Sequence, residues 1–399
     1  MKDLIKREII DMNNEILKHM EKLKGYKIMI YPFNQDSIDL KEILESKLGI
    51  HVDFFCDDSM PSGKCSSDVM LFRYILEYRK SHNVSVFLSN KKEHEWFYDF
   101  EKFQRIGILC ANIVTYQQLK YYLNILENPC VETQNYLNQL RVISSDETVN
   151  KRVDITIRNL ENCKEVYDLF ADELSKKVFA RLLAKKILNC KFFFDVYSPD
   201  QYFDKSLIQL SDHEVFFDVG AFDGDTIEDF IINCRDKYKY IYAFEPDNLV
   251  FSQLVENAHK YKNISFFNVG LYDETKIIRF KKSGLGSSHI WNWFDDASNS
   301  LDYEDKCVLK GDVLDLKPTF IKMDIEGAEI KALCGLKETI ISNQPQLAIC
   351  AYHMPEDLWM IPLYINNIDQ GYKIYLRHHS YTDSETVCYA RKDFNEENL

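Results

Sequence analysis

The 399 residues carry 49 basic against 63 acidic side chains, a formal net charge of −14, with 46% hydrophobic, 14% aromatic and 28% charged residues. Such a chain is too long for one core and too apolar for disorder, so a globular protein of two or three domains is expected, and its charge disfavours nucleic acid and anionic lipid as partners. No apolar run nears the roughly 18 residues of a membrane span, the first 24 residues are not a secretion signal, and the eleven cysteines stand singly, which predicts a cytoplasmic protein with reduced thiols.

Residues 1–24 read as an amphipathic helix with apolar Leu4, Ile9, Ile10, Ile16 and Leu17. The run Lys27-Ile-Met-Ile-Tyr31 reads as a buried strand, Ser37 to Leu48 as a helix, and His51-Val-Asp-Phe-Phe55 as a second strand closing on Asp57 and Asp58. A helix near Asp68 to Arg79 and the strand Val84-Ser-Val-Phe-Leu88 complete a small Rossmann-like α/β domain over residues 1–112. An acid after the second strand is where a dinucleotide fold holds a ribose. The loop Tyr31-Pro-Phe-Asn-Gln-Asp36, however, has no glycine to let the backbone approach a pyrophosphate. This domain is expected to be a scaffold or partner surface without nucleotide. Helical periodicity, as in Gln117 to Leu126 and Glu173 to Leu188, then predicts a connector over 113–197, and the turn Ser198-Pro-Asp200 opens a last domain, 198–399.

That domain begins with Glu214-Val-Phe-Phe-Asp218-Val-Gly220-Ala-Phe-Asp223-Gly224-Asp225-Thr226, an apolar strand, a tight turn and a helix to Cys234 with Asp225 and Glu228 as its capping box. Strand, tight loop and helix is the arrangement of nucleotide folds. Asp218, Asp223 and Asp225 crowd the place where a dinucleotide would set its pyrophosphate. They suit S-adenosylmethionine instead, which has no phosphate and carries a sulfonium and an ammonium. The strand Tyr240 to Phe244 ends on Glu245, where a carboxylate can accept both ribose hydroxyls, and Ile264 to Gly270 would bring Gly270 and Leu271 beside the adenine. Thr319 to Met323 ends in Asp324-Ile-Glu326-Gly-Ala-Glu329, Leu347 to Tyr352 ends on His353, and Lys373 to Arg377 with Thr386 to Tyr389 close the edge as a hairpin. The expected fold class is α/β, a doubly wound sheet with a terminal β-hairpin, with Asp218, Glu245, Asp324 and His353 converging at its carboxyl edge.

Through Asp200-Gln-Tyr-Phe203, Val215 to Thr226, Phe244-Glu-Pro246 and above all Ile321-Lys-Met-Asp-Ile-Glu-Gly-Ala-Glu329, with Gly335, Pro345 and Tyr352-His353 downstream, residues 198–390 resemble the FkbM family of S-adenosylmethionine-dependent methyltransferases. The resemblance implies a class I methyltransferase fold and O-methylation of a sugar or other small hydroxylated metabolite. The first domain resembles, much more loosely, the degenerate Rossmann-like module of some bacterial members. The family pattern has Ala where this chain has Gly270, a departure that should leave adenine binding intact. Cofactor contacts are expected from Asp218, Gly220, Ala221, Asp223, Gly224, Thr226, Glu245, Gly270, Leu271 and Asp324.

Catalysis is expected from His353 as general base, with Asp324 and Glu326 beside it. No metal is assigned, although the same three side chains could hold a divalent cation, and Asp324 and Glu326 could instead cap the next helix. Two other functions fit the same residues: a non-catalytic S-adenosylmethionine-binding module, and a nicotinamide oxidoreductase, which the three aspartates disfavour. The expected partner is a small-molecule acceptor, a sugar or glycan precursor among the candidates, with no nucleic acid and no membrane span; a homo-oligomer is compatible. Adjacent His378 and His379 would point to opposite faces of a strand. Ser287-Ser288-His289 read as a surface loop or as the lining of an acceptor pocket, and Trp291 and Trp293 as an apolar platform for a sugar ring or as the packing residues of a lid.

Overall fold

The computed structural model describes residues 1–58, 69–90, 99, 102–109, 112–127, 147–188, 196–281, 303–380 and 384–392. The chain divides into two units, Lys2–Asn150 with Leu183–Asp195, and Met1 with Lys151–Leu182 and Val196–Leu399, so the stretch expected as a connector is shared between them.

In the first unit, helix α1 (Lys2–Leu23) precedes strand β1 (Lys27–Tyr31), helix α2 (Gln35–Leu48), strands β2 (Phe54–Asp57) and β3 (Val69–Leu71), helix α3 (Phe72–Tyr78), strands β4 (Val84–Leu88) and β5 (Ile113–Thr115), and helix α4 (Tyr116–Glu127). All five strands pair in parallel in the order β3-β2-β1-β4-β5. Apolar runs such as Ile28-Met-Ile are buried because helices cover a parallel sheet on both faces. Two short strands escaped the periodicity. Three-residue segments such as Val69–Leu71 and Ile113–Thr115 are too short to alternate and are held by pairing with a neighbour.

The second unit contains helices α5 (Glu147–Arg158, from Lys151 onward), α6 (Leu160–Leu169) and α7 (Glu173–Leu188, up to Leu182) ahead of its main sheet. The sheet alternates with helices: β6 (Val215–Val219), α8 (Asp225–Cys234), β7 (Tyr240–Phe244), α9 (Asn248–Ala258) and β8 (Ile264–Phe267). A small three-stranded sheet comes next, made of β9 (Gly270–Tyr272), β10 (Lys276–Lys281) and β11 (Tyr303–Lys310), in the order β10-β11-β9. The chain then returns through β12 (Phe320–Met323), α10 (Glu329–Gly335), α11 (Lys337–Asn343), β13 (Gln346–Cys350), α12 (Asp357–Ile368), β14 (Lys373–His378) and β15 (Thr386–Arg391). The seven strands lie in the order β14-β15-β13-β12-β6-β7-β8, parallel except for β15, which runs antiparallel to both its neighbours.

The strand expected over Ile264 to Gly270 divides at Asn268, so that Gly270 and Leu271 belong to the smaller sheet, paired with Val308 and Leu309. One face of the main sheet is filled by rings: Phe216 stacks on Phe230 of α8 with centroids 4.3 Å apart and on Phe320 of β12 at 5.2 Å. The edge strand β14 does not end in open amides, because Ala171 N–H donates to Ile374 O and Leu376 N–H to Ser175 Oγ, both at 2.9 Å, while Arg377 pairs with Asp172 at 2.6 Å.

Candidate active site

The site is assembled by strand register. Lys322 of β12 lies directly opposite Asp218 of β6, and neighbouring residues in register share a face, so the two charges meet inside the sheet. Lys322 Nζ is 3.0 Å from Asp218 Oδ1 and donates to Gly220 O at 2.6 Å, which ties the loop after β6 to the neighbouring strand. Burial pushes the Asp218 carboxyl up to about 6 against the pull of Lys322. For Lys322 burial would lower the ammonium, but Asp218 and Asp324 overcome it and hold the group above its ordinary value. Gly220 is required at its position: its φ is +79°, and a Cβ there would lie 1.8 Å from Asp324 O.

Above this pair, at the carboxyl ends of β6, β7 and β12, opens a cavity of about 400 Å³. Asp225, Glu245, Asp247, Asp324, Glu326 and Glu385 line it, against one cation, Lys322, among the described lining residues. Three non-glycine residues of its wall, Tyr202, Phe222 and Glu326, are left-handed, with φ of 65°, 46° and 56°. Strain of this kind concentrates where a site dictates the backbone. Glu245 is buried, its Oε1 accepts from Asp247 N–H at 2.7 Å, and burial pushes its carboxyl up to about 7 against that bond.

On the β12 and β13 side, Asp324 divides its two oxygens. Tyr202 Oη donates to Oδ2 at 2.8 Å, and Oδ1 lies 3.3 Å from His353 Nε2. His353 Nδ1 is 2.9 Å from Glu329 Oε1, which also accepts Ile325 N–H at 3.0 Å. Burial would raise the Asp324 carboxyl, but His353, Lys322 and Tyr202 outweigh it and hold the group well below the usual carboxylate range. Burial would likewise lower the His353 imidazolium, yet Glu329 and Asp324 raise it to about 11.

The expected residues therefore separate. Gly220, Thr226, Glu245, Gly270, Leu271, Asp324 and Glu326 line the cavity. Asp218 and Ala221 are buried beneath it, Asp218 paired with Lys322. Asp223 and Gly224 lie outside the lining; Asp223 O accepts from Asn257, and Gly224, with φ +94°, is the residue that starts α8. The capping box expected from Asp225 and Glu228 is absent, because Gly224 takes the cap position and Asp225 is already in the helix. His353 stands behind Asp324, outside the lining of the cavity, with its Nε2 3.3 Å from Asp324 Oδ1. His378 and His379 are spent internally, on Thr386 Oγ1 and on Ser198 O with Tyr389 Oη. Ser287, Ser288, His289, Trp291 and Trp293 lie outside the described residues. Lys322, Tyr202, Glu329 and Glu385 were given no role from the sequence. A lysine alone in the apolar strand Phe320–Met323 was a usable signal, because a buried ammonium requires a counter-ion.

A seven-stranded sheet of this order, with one antiparallel strand next to the edge and acids at its carboxyl ends, is the class I methyltransferase fold. Residues 218–374 match the family model described as the methyltransferase FkbM domain, and the chain thus carries an FkbM methyltransferase domain. Methyltransferase FkbM from Methylobacillus flagellatus KT is similar in fold, with 20% identity and a TM-score of 0.55 over 96% of this chain and 100% of that one. Two more distant similarities are precorrin-6y C5,15-methyltransferase from Geobacter metallireducens GS-15, at 14% identity and TM-score 0.29 over 47% of this chain and 85% of that one, and Aeropyrum pernix fibrillarin with bound S-adenosyl-L-methionine, at 12% and 0.28 over 47% and 70%. No curated protein matches the chain. Among the described residues no helix is long and apolar enough to cross a membrane.

Proposed function

We propose that the chain is an S-adenosylmethionine-dependent O-methyltransferase acting on a hydroxyl of a sugar or another small hydroxylated metabolite. The observation that carries this reading is the acid-lined cavity at the carboxyl edge of the sheet, whose charge suits a sulfonium and an ammonium and opposes a pyrophosphate. Gly220 lets the backbone approach the cofactor, Thr226 lies at the helix start, Glu245 accepts from the ribose hydroxyls, and Gly270 and Leu271 flank the adenine. Asp324 and Glu326 lie on the side where methyl group and acceptor meet.

The acceptor oxygen attacks the methyl carbon in line with sulfur. The C–O bond forms as the C–S bond breaks, sulfur keeps the bonding pair as S-adenosylhomocysteine, and the hydroxyl proton leaves to water or a cavity carboxylate. Most of the acceleration comes from holding the two reactants in line, worth up to roughly 7–11 kcal/mol. Calorimetry of the full chain with S-adenosylhomocysteine should give saturable binding, and labelled S-adenosylmethionine with a panel of sugars and polyols should give a labelled ether product. Binding without turnover across a broad panel would leave a non-catalytic binding module. Binding of NAD in place of S-adenosylhomocysteine would overturn the reading.

A further inference from the structure

We infer that His353, Asp324 and Glu326 form a site for one divalent cation on the β12 and β13 side of the cavity, with Glu329 orienting the imidazole. The use of such a cation, holding the acceptor hydroxyl, rests on the proposed methyltransferase reading; its existence does not.

His353 has a side chain only 7% exposed, and its Nε2 makes no hydrogen bond although it points between two carboxylates, 3.3 Å from Asp324 Oδ1 and 3.7 Å from Glu326 Oε2. Donor atoms that share one ion at about 2.0–2.2 Å stand roughly 3.0–3.6 Å apart, so a small movement of Glu326 completes the set. The other ring nitrogen faces Glu329 Oε1 at 2.9 Å, the outer contact that turns Nε2 toward the two carboxylates, where an entering metal ion displaces its proton. Glu329 is fully buried and its Oε2 has no hydrogen-bond partner. Ligand-capable atoms of Asp324, Glu329 and His353 all lie within 4.8 Å of one another.

Three carboxylates around one imidazole over-supply negative charge in a largely buried place, and a divalent cation offsets it. Carboxylate oxygens with a single imidazole suit Mn²⁺, Mg²⁺ or Zn²⁺ more than a soft metal. Asp324 and Glu326 line the cavity, so the remaining coordination positions open toward it and fit adjacent hydroxyls of a polyol better than an isolated one.

The test is Mn²⁺ uptake by the metal-stripped full chain, read by loss of the free-ion signal in electron paramagnetic resonance, with S-adenosylhomocysteine binding measured on the same samples. The expected result is one Mn²⁺ per chain, bound at least about tenfold more weakly by Glu326→Gln and by His353→Ala, and bound normally by Glu245→Gln, which weakens S-adenosylhomocysteine instead. Glu326 is 34% exposed, so its variant reports on the site without disturbing the core. No saturable uptake by folded protein, or uptake that Glu326→Gln and His353→Ala leave unchanged, overturns the metal site while the methyltransferase reading stands. Mn²⁺ uptake with no binding of S-adenosylhomocysteine does the opposite.

Discussion

In both parallel sheets a strand with parallel neighbours on each side feeds a loop that opens a helix: β1 lies between β2 and β4, and β6 between β7 and β12. After β1, side chains close the loop on itself. Asn34 Oδ1 takes Ser37 N–H at 2.9 Å, Ser37 Oγ takes Asn34 N–H at 3.0 Å, and Asp57, the acid ending β2, takes Phe33 N–H at 3.0 Å. Lys102 bonds to Asp58 and to Tyr31 Oη beside them. After β6, backbone does the closing. Left-handed Gly220 donates its N–H to Phe244 O, Lys322 holds its carbonyl, and Glu245, the acid after β7, lines the cavity. The same topology thus yields a loop that satisfies its own donors in one place and a receptive crevice in the other, and glycine is what separates them.

The largest effect should come from breaking the charge pair under the second loop. Lys322→Met leaves Asp218 buried without its partner and should cost about 3–5 kcal/mol of stability in denaturant titration. Asp218→Asn together with Lys322→Met should recover much of it. Burial pushes the Asp218 carboxyl up to about 6 even beside Lys322, and without the ammonium it rises further, so the variant protonates at a higher pH than the parent and the loss in Lys322→Met should shrink as the pH falls toward about 6 and change little below it. A single variant within about 1 kcal/mol of the parent at neutral pH would show that the pair does not organise this loop.

Gly220→Ala comes next. The residue must keep φ near +79° with a Cβ directed at Asp324 O, and left-handed strain alone is about 1–3 kcal/mol. Melting temperature should fall, and S-adenosylhomocysteine affinity should drop about a hundredfold or more because the loop can no longer lie against β12. Wild-type affinity in this variant would mean that the cofactor does not contact the loop.

Glu245→Ala should weaken S-adenosylhomocysteine binding by about tenfold or more. Ribose hydroxyls donate, so binding favours the ionised carboxylate, and a free-state value of about 7 makes affinity rise with pH through neutrality. Calorimetry at pH values on either side of 7 should show that rise in the parent, and Glu245→Gln should flatten it. A slope unchanged by Glu245→Gln assigns the titration to another group.

Much of this site was legible because it sits at strand ends. Apolar runs located β6, β7, β12 and β13, and Glu245 and Asp324 are the first charged residues where the runs of β7 and β12 stop, at the edge where an open parallel sheet binds its ligands. Charge in the middle of a strand was harder to place. Asp218 read as a loop acid, yet register with Lys322 draws it into the sheet, and register is a long-range property that no local pattern contains. Glu329 and His353 are 24 residues apart and meet only because β12 and β13 are neighbours. The short strands β3 and β5, and β9 to β11 of the three-stranded sheet, owe their form to partners instead of periodicity.

The smallest effect is expected at the first loop. Asn34 caps α2 reciprocally with Ser37, so Asn34→Ala removes one acceptor from a helix start and should cost about 1 kcal/mol, seen as a small shift in the unfolding midpoint. Cofactor affinity should stay within about twofold of the parent, since a cap in the first sheet contributes no group to the cavity of the second. The more searching measurement is a titration of parent and variant with NAD and ATP. A loop whose amides already donate to Asn34, Ser37 and Asp57 has few left for a phosphate, and Asp57 and Asp58 beside it oppose the charge. Neither nucleotide should bind either protein through this loop. Micromolar binding by the parent that Asn34→Ala abolishes would make the first sheet a working nucleotide site, and the two loops would then differ in ligand and not in capacity.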